Sequence, residues 1–178
     1  MRDGSYITPR IIIFDGNETL CSSLQKILVE RGYEVFTFSD SSVCPLFHSE
    51  DHCKIPNSSC SDIIISDIYI PTVQGLKLIK GRIDKGCGVK FRALMSTNWT
   101  DRDWQYAQRI GCRLFRKPFD LKEMLKWLDD CARQIDTKRK LYEWHRTNGK
   151  NREGACPIPF NSALQSRKTK KLTNEFFG

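Results

Sequence analysis

The stretch Arg10-Ile11-Ile12-Ile13-Phe14-Asp15-Gly16-Asn17-Glu18-Thr19-Leu20 sets the pattern for the whole chain. Its apolar run is short and β-branched, which predicts a strand buried on both faces rather than a helix. An aspartate stands at the end of that strand. Leu20, Leu24, Ile27 and Leu28 then recur at helical spacing, and Arg31-Gly32 closes the segment with a cation and a glycine. An acid between a buried strand and a helix suits phosphate or metal chemistry.

The same unit returns along the chain. Tyr33 to Ser39 alternates and is rich in aromatics, which predicts a second strand. Ile63-Ile64-Ile65-Ser66-Asp67 repeats the opening motif and again ends in aspartate. Val73 to Ile83 has a helical face and stops near Gly86. Phe91 to Ser96 is the fourth strand. Thr100-Asp101-Arg102-Asp103 reads as an N-cap with acids in the first turn, opening a helix that runs to about Ile110 and stops at Gly111. Arg113 to Arg116 is the fifth strand, closed by Lys117-Pro118. Asp120 caps a last helix with Leu121, Met124, Leu125, Leu128 and Ile135 on one face. Residues 40–61 are polar, and only a short helix around Val43 to His48 is expected there. Five alternations of strand and helix predict an α/β fold, a doubly wound five-stranded parallel sheet with helices on both faces. Ligands in such sheets sit at the C-terminal strand ends. Asp15, Asp67, Ser96 and Lys117 all fall there.

Two carboxylates, a hydroxyl and a lysine at one sheet edge suit phosphoryl transfer to a carboxylate. The acids bind a hard cation such as Mg²⁺, one acid attacks phosphorus, and the lysine and metal stabilise charge on the transferring oxygens. One rival use of Asp15 is as the nucleophile of a haloacid-dehalogenase phosphatase, whose motif is Asp-x-Asp-x-Thr. Here Asn17 replaces the second acid, which would act as general acid. No later acidic pair follows a strand, since Asp129-Asp130 falls inside the last helix. Asp15 is therefore read as a metal-site acid.

FDGNE after the first strand, SDIYIP around Asp67, LMST after the fourth strand, KPFD after the fifth and Arg31-Gly32-Tyr33 before the second resemble the receiver domain of bacterial two-component response regulators. The resemblance spans roughly residues 9–134. It implies the flavodoxin-like strand order 2-1-3-4-5. It implies Asp67 as phosphoacceptor, Asp15 as one metal acid and Ser96 as switch hydroxyl, with Thr97 the lesser choice. Lys117 becomes the phosphate-contacting lysine, its bond to Pro118 often cis in the family, and the Tyr69 backbone carbonyl completes a Mg²⁺ shell. It implies a sensor histidine kinase as donor. The partner face is that of the fourth helix, fifth strand and fifth helix, open to an output protein or a second copy of the chain. Two positions depart from the pattern. The family's second acid is Gly16 here, which should weaken Mg²⁺ binding, with Glu18 the nearest substitute. Leu114 stands where the family has the aromatic that moves with the hydroxyl, and Phe115 is one position off.

The bulk properties agree with an intracellular signalling module. No run is long and apolar enough to span a membrane, and MRDGSYITPR has no apolar signal core, so a cytoplasmic location is expected. The eight cysteines, at 21, 44, 53, 60, 87, 112, 131 and 156, contain no CxxC pair and are expected as reduced thiols. Cys44, His48, His52, Cys53 and Cys60 cluster in sequence, but not at a standard zinc spacing. Of the net charge of +8, residues 135–178 carry +6, from ten basic and four acidic side chains. This basic C-terminal extension is expected to begin as helix over LYEWHR and continue as loop. Its Arg167-Lys168-Thr169-Lys170-Lys171 run is read as solvated rather than nucleic-acid-binding. It is too short for a winged-helix output domain. The expected function is a stand-alone receiver with self-catalysed phosphotransfer and no other enzymatic activity. The alternatives are a phosphorylation-independent docking module and nucleic-acid binding through the tail.

Overall fold

The computed structural model describes residues 7–41, 58–71 and 73–141. The elements are β1 (Arg10–Phe14), α1 (Glu18–Glu30), β2 (Glu34–Phe38), β3 (Ser58–Ser59) and β4 (Ile63–Asp67). Then follow α2 (Gly75–Asp84), β5 (Phe91–Ser96), α3 (Asp101–Arg109), β6 (Arg113–Arg116), α4 (Leu121–Ala132) and β7 (Lys140–Leu141). Five strands form one parallel sheet in the order β2-β1-β4-β5-β6, which is 2-1-3-4-5 counted over those five. Among the described residues no helix is long and apolar enough to cross a membrane.

The strand sequences explain the layers. Side chains alternate across a sheet, so a strand covered on both sides reads as a near-continuous apolar run. Ile11, Ile13, Ile63, Ile65, Ala93 and Met95 face one side and pack with Leu24 and Leu28 of α1 and Met124 and Leu128 of α4. Ile12, Phe14, Ile64 and Leu94 face the other and pack with Leu78 and Ile79 of α2 and Ala107 of α3. Every residue of β1 is buried.

Thr100 and Asp120 cap their helices as predicted, each accepting a backbone N–H from the first turn, and Asn17 does the same for α1. Three helices stop in one way, shown by α1: Gly32 takes φ +88°, its N–H donates to the Val29 carbonyl, and Tyr33 N–H donates to that of Leu28. Gly86 and Gly111 repeat the motif after α2 and α3.

Three expectations need correction or relocation. Ile135 does not belong to the last helix. Arg133 caps α4, Gln134 N–H turns back to Cys131 carbonyl, and Asp136 draws Lys138 N–H into its own turn. Leu141, expected to open a helical continuation, lies in β7, which pairs in parallel with β3. The rest of the extension, the short helix around Val43 to His48, and Cys44, His48, His52 and Cys53 lie outside the described residues.

Candidate functional site

The C-terminal strand ends bring two acids and a lysine into one cluster. Asp15 is fixed from three sides. Its N–H donates to Phe38 carbonyl (3.0 Å), its Oδ1 accepts from Asn17 N–H (2.9 Å), and its carbonyl accepts the Cys21 thiol (3.3 Å). Burial first, and the Asp15 charge next, push that thiol up to about 11. Asp67 uses the same short loop device, its Oδ1 accepting from Tyr69 N–H at 2.9 Å. The start of α2 is pressed against the Asp67 backbone, with Gly75 N–H donating to Ile68 carbonyl (2.8 Å). A Cβ at Gly75 would lie 2.0 Å from the Asp67 carbonyl oxygen and 2.5 Å from Ser66 Oγ, so only glycine fits. Lys117 N–H donates to Ser96 carbonyl (2.8 Å), and the Lys117–Pro118 peptide is cis, as the resemblance implied.

Lys117 joins the two acids. Its Nζ donates to Asp15 Oδ2 at 2.6 Å and also to Asp67 Oδ2. Burial alone would lower the ammonium's pKa, but the bonds to Asp15 and Asp67 outweigh it and hold the group above its ordinary value. The acids differ in access. The Asp67 side chain is 15 % exposed and that of Asp15 only 2 %, so an incoming reactant meets Asp67. Two carboxylates against one ammonium leave one negative charge in excess. That surplus and an all-oxygen donor set fit a hard divalent ion.

The predicted metal set is only partly assembled by side chains. Tyr69 reaches Asp67 through its amide, while its carbonyl was the expected ligand. No group of three acidic, imidazole or thiol side chains gathers among the described residues, and Glu18 is exposed. Space does not forbid that acid: a Cβ at Gly16 would meet Pro71 Cδ at 3.9 Å and Ser39 carbonyl oxygen at 4.0 Å, ordinary contacts. Asn17 spends its side chain on capping α1, in place of any acid–base role.

Ser96 is fully buried, and its hydroxyl faces the following loop instead of the acids. It donates to Asn98 carbonyl (2.9 Å) and accepts from Asn98 N–H (3.1 Å). Thr97 is exposed. The loop continues to Trp99, whose indole N–H donates to Phe115 carbonyl on β6 (3.3 Å) and whose ring meets Trp104 of α3 edge-on. Leu114 packs against the α2–α3 side of the core. Phe115 points to the opposite side and packs on Trp127. Phe115 is therefore core, and Trp99 is the aromatic that ties the loop after Ser96 to the β6 backbone. Sequence reasoning missed Trp99 and Gly75. The close approach at Gly75 had one signal, a glycine at the start of a helix just after an Asp-to-Pro turn.

No family model matches the chain, and no curated protein matches it. Solved structures do. The non-phosphorylated HemR receiver domain from Leptospira biflexa is 21 % identical, covering 72 % of this chain and 98 % of its own, with a TM-score of 0.61. A CheY-like response regulator receiver domain protein from Methanospirillum hungatei JF-1 is 16 % identical over 72 % of this chain and 96 % of its own, with a TM-score of 0.58. A Burkholderia pseudomallei response regulator, solved with a phosphorylated aspartic acid, a calcium ion and citrate, is 19 % identical over 71 % and 69 %, with a TM-score of 0.52. The chain thus has the fold of response regulator receiver domains.

Proposed function

We propose that the protein is a receiver module of two-component phosphorelay signalling, taking a phosphoryl group from a histidine kinase onto Asp67 with Mg²⁺. The observation that carries this reading is Lys117 Nζ held between Asp15 and the more exposed Asp67. Asp15, Asp67 and the Tyr69 carbonyl would hold the ion, which when bound would neutralise charge on the transferring oxygens. Asp67 attacks phosphorus as the phosphorus–nitrogen bond to the donor imidazole breaks, and the imidazole leaves. Lys117 gives up its bond to Asp67 for a phosphoryl oxygen and keeps Asp15. Ser96 exchanges Asn98 for another phosphoryl oxygen, which releases the loop that ends in Trp99. That loop leans on β6 and α3, so the face formed by α3, β6 and α4 changes. The chain acts on itself and on no other substrate.

Exposed charges on that face are mixed: Arg102, Arg109, Arg116, Lys122 and Lys126 stand beside Asp101 and Asp120, and Arg113 pairs with Glu123. The proposed partner is an output protein or a second copy of the chain, docked through this face.

The test is intact-mass spectrometry after incubation with acetyl phosphate and Mg²⁺, beside Asp67→Asn. One phosphate adduct, lost in the variant, is expected. No adduct with acetyl phosphate or with any candidate kinase would instead support a docking module independent of phosphate, the reading that Gly16 and Leu114 favour. Binding through the tail to nucleic acid predicts affinity that falls steeply with salt and survives Asp67→Asn.

A further inference from the structure

Two of the five described cysteines are not solitary. Cys60 lies just before β4 and Cys87 just before β5, and those strands are parallel neighbours with Ile63 opposite Phe91. The two lead-in segments therefore run side by side at the N-terminal end of the sheet. Cys87 belongs to the apolar cluster on the α2–α3 side, and Cys60 packs on that cluster from its partly exposed edge. The Cys60 side chain is the first cause of the raised Cys87 pKa, ahead of burial. Cys21, Cys112 and Cys131 are each buried. Two cations stand close by: Arg10 Nη1 donates to Cys60 carbonyl at 3.4 Å, and Arg82 lines the same crevice as Cys60.

We propose that Cys60 and Cys87 form a reversible disulfide, a redox modification site at the end of the sheet opposite Asp67. The oxidant class is a small disulfide such as oxidised glutathione. Cys60, the accessible partner, loses its proton to solvent, and its thiolate attacks the small disulfide. A mixed disulfide forms at Cys60 and one glutathione thiolate leaves, taking up a proton. Cys87 then loses its proton and attacks the Cys60 sulfur. The Cys60–Cys87 bond forms and the second glutathione leaves as a thiol. Two protein thiols are oxidised and one small disulfide is reduced to two thiols.

The order of attack follows from the surroundings. The Cys87 thiol is held far above the ordinary thiol range, first by the Cys60 side chain and then by burial, so it does not react first. Capping the Cys60 sulfur removes the first of those causes. Arg82 then favours the Cys87 thiolate. The finished bond would tie the entry of β4, which ends at Asp67, to the end of α2.

The test treats the full chain with oxidised glutathione, alkylates the remaining thiols, and maps peptides without reduction. Wild type should give a peptide joining Cys60 to Cys87, with the loss of both free thiols. Cys87→Ala should stop at a glutathione adduct on Cys60, and Cys60→Ala should leave Cys87 unmodified. A crosslink from Cys60 to a different cysteine, or a Cys60 adduct that persists in wild type, would overturn the proposal. Circular dichroism checks that each variant folds; if either fails to fold, the wild-type map alone decides.

Discussion

The sheet carries a carboxylate–cation cluster at each end, and the two are built to opposite purposes. At the N-terminal end, Asp62 is grasped by Arg139. Nε donates to Oδ1 (2.8 Å) and Nη2 to Oδ2 (2.9 Å), while Arg10 N–H also reaches Oδ2 (2.8 Å). Arg10 in turn pairs with Glu34 at 2.6 Å. Charges there balance, and the planar fork fixes the geometry. At the C-terminal end a single ammonium is shared by two acids and leaves a negative charge over. A guanidinium fork has no reason to let go. A lysine on a flexible stem, holding two acids that jointly outnumber it, has a partner to exchange. The first cluster fastens the segment after α4 to the body; the second is poised for a ligand.

Removing an acid from each end gives the largest contrast. Asp62→Ala leaves two arginine donors and the Arg10 amide without their acceptor in a buried place, and should cost about 3 kcal/mol. Asp67→Asn leaves a neutral Asp15–Lys117 pair and should change stability by less than about 1 kcal/mol. Urea unfolding of both variants measures the difference. Equal losses would mean that the two clusters are equally structural.

The difference between the ends also explains what the sequence disclosed. Asp15 and Asp67 were visible because each follows a run of isoleucines, and strand and helix periodicity located Ser96 and Lys117 by position. The five main strands and the caps at Thr100 and Asp120 came from the same local signals. Asp62 and Arg139 were not visible. Their bond joins residues 77 positions apart, and neither lies on a periodic face. Two-residue strands such as β3 and β7 have no period to read. Ile135 fitted the helical face of α4, but the turn chemistry of Asp136 outweighed one apolar contact. Phe115 and Trp99 show the limit of register: which aromatic faces the loop depends on side-chain direction, not on distance in sequence from Lys117.

A smaller effect probes how tightly the shared ammonium is held. Lys117→Met should destabilise the protein by about 2 kcal/mol at neutral pH, since the two acids then face each other without a cation. The lysine's folded pKa is raised above its unfolded value. Its contribution is therefore fully present below the unfolded lysine pKa of about 10.4 and is lost as pH rises through the higher folded value. The gap between wild type and Lys117→Met should hold steady up to about pH 10 and narrow above it. A gap that does not change with alkaline pH would show that Lys117 contributes by packing alone.

The smallest effect concerns the acid that the cluster lacks. Gly16 has room for a side chain, with only ordinary contacts around a Cβ, and follows Asp15 directly in the chain. Gly16→Asp would add a second negative charge to the surplus. The added carboxylate should tighten Mg²⁺ by about tenfold, roughly 1.4 kcal/mol. Without the ion it should lower stability slightly by repulsion. Thermal unfolding with and without Mg²⁺ separates the two: the variant should melt lower than wild type in a chelator and gain more from the ion. The N-terminal cluster is already neutral, so an acid placed near Asp62 should give no such metal response. If Gly16→Asp gains nothing from Mg²⁺, the charge surplus at Asp15 and Asp67 is not a cation site, and the contrast between the two ends of the sheet reduces to arginine against lysine.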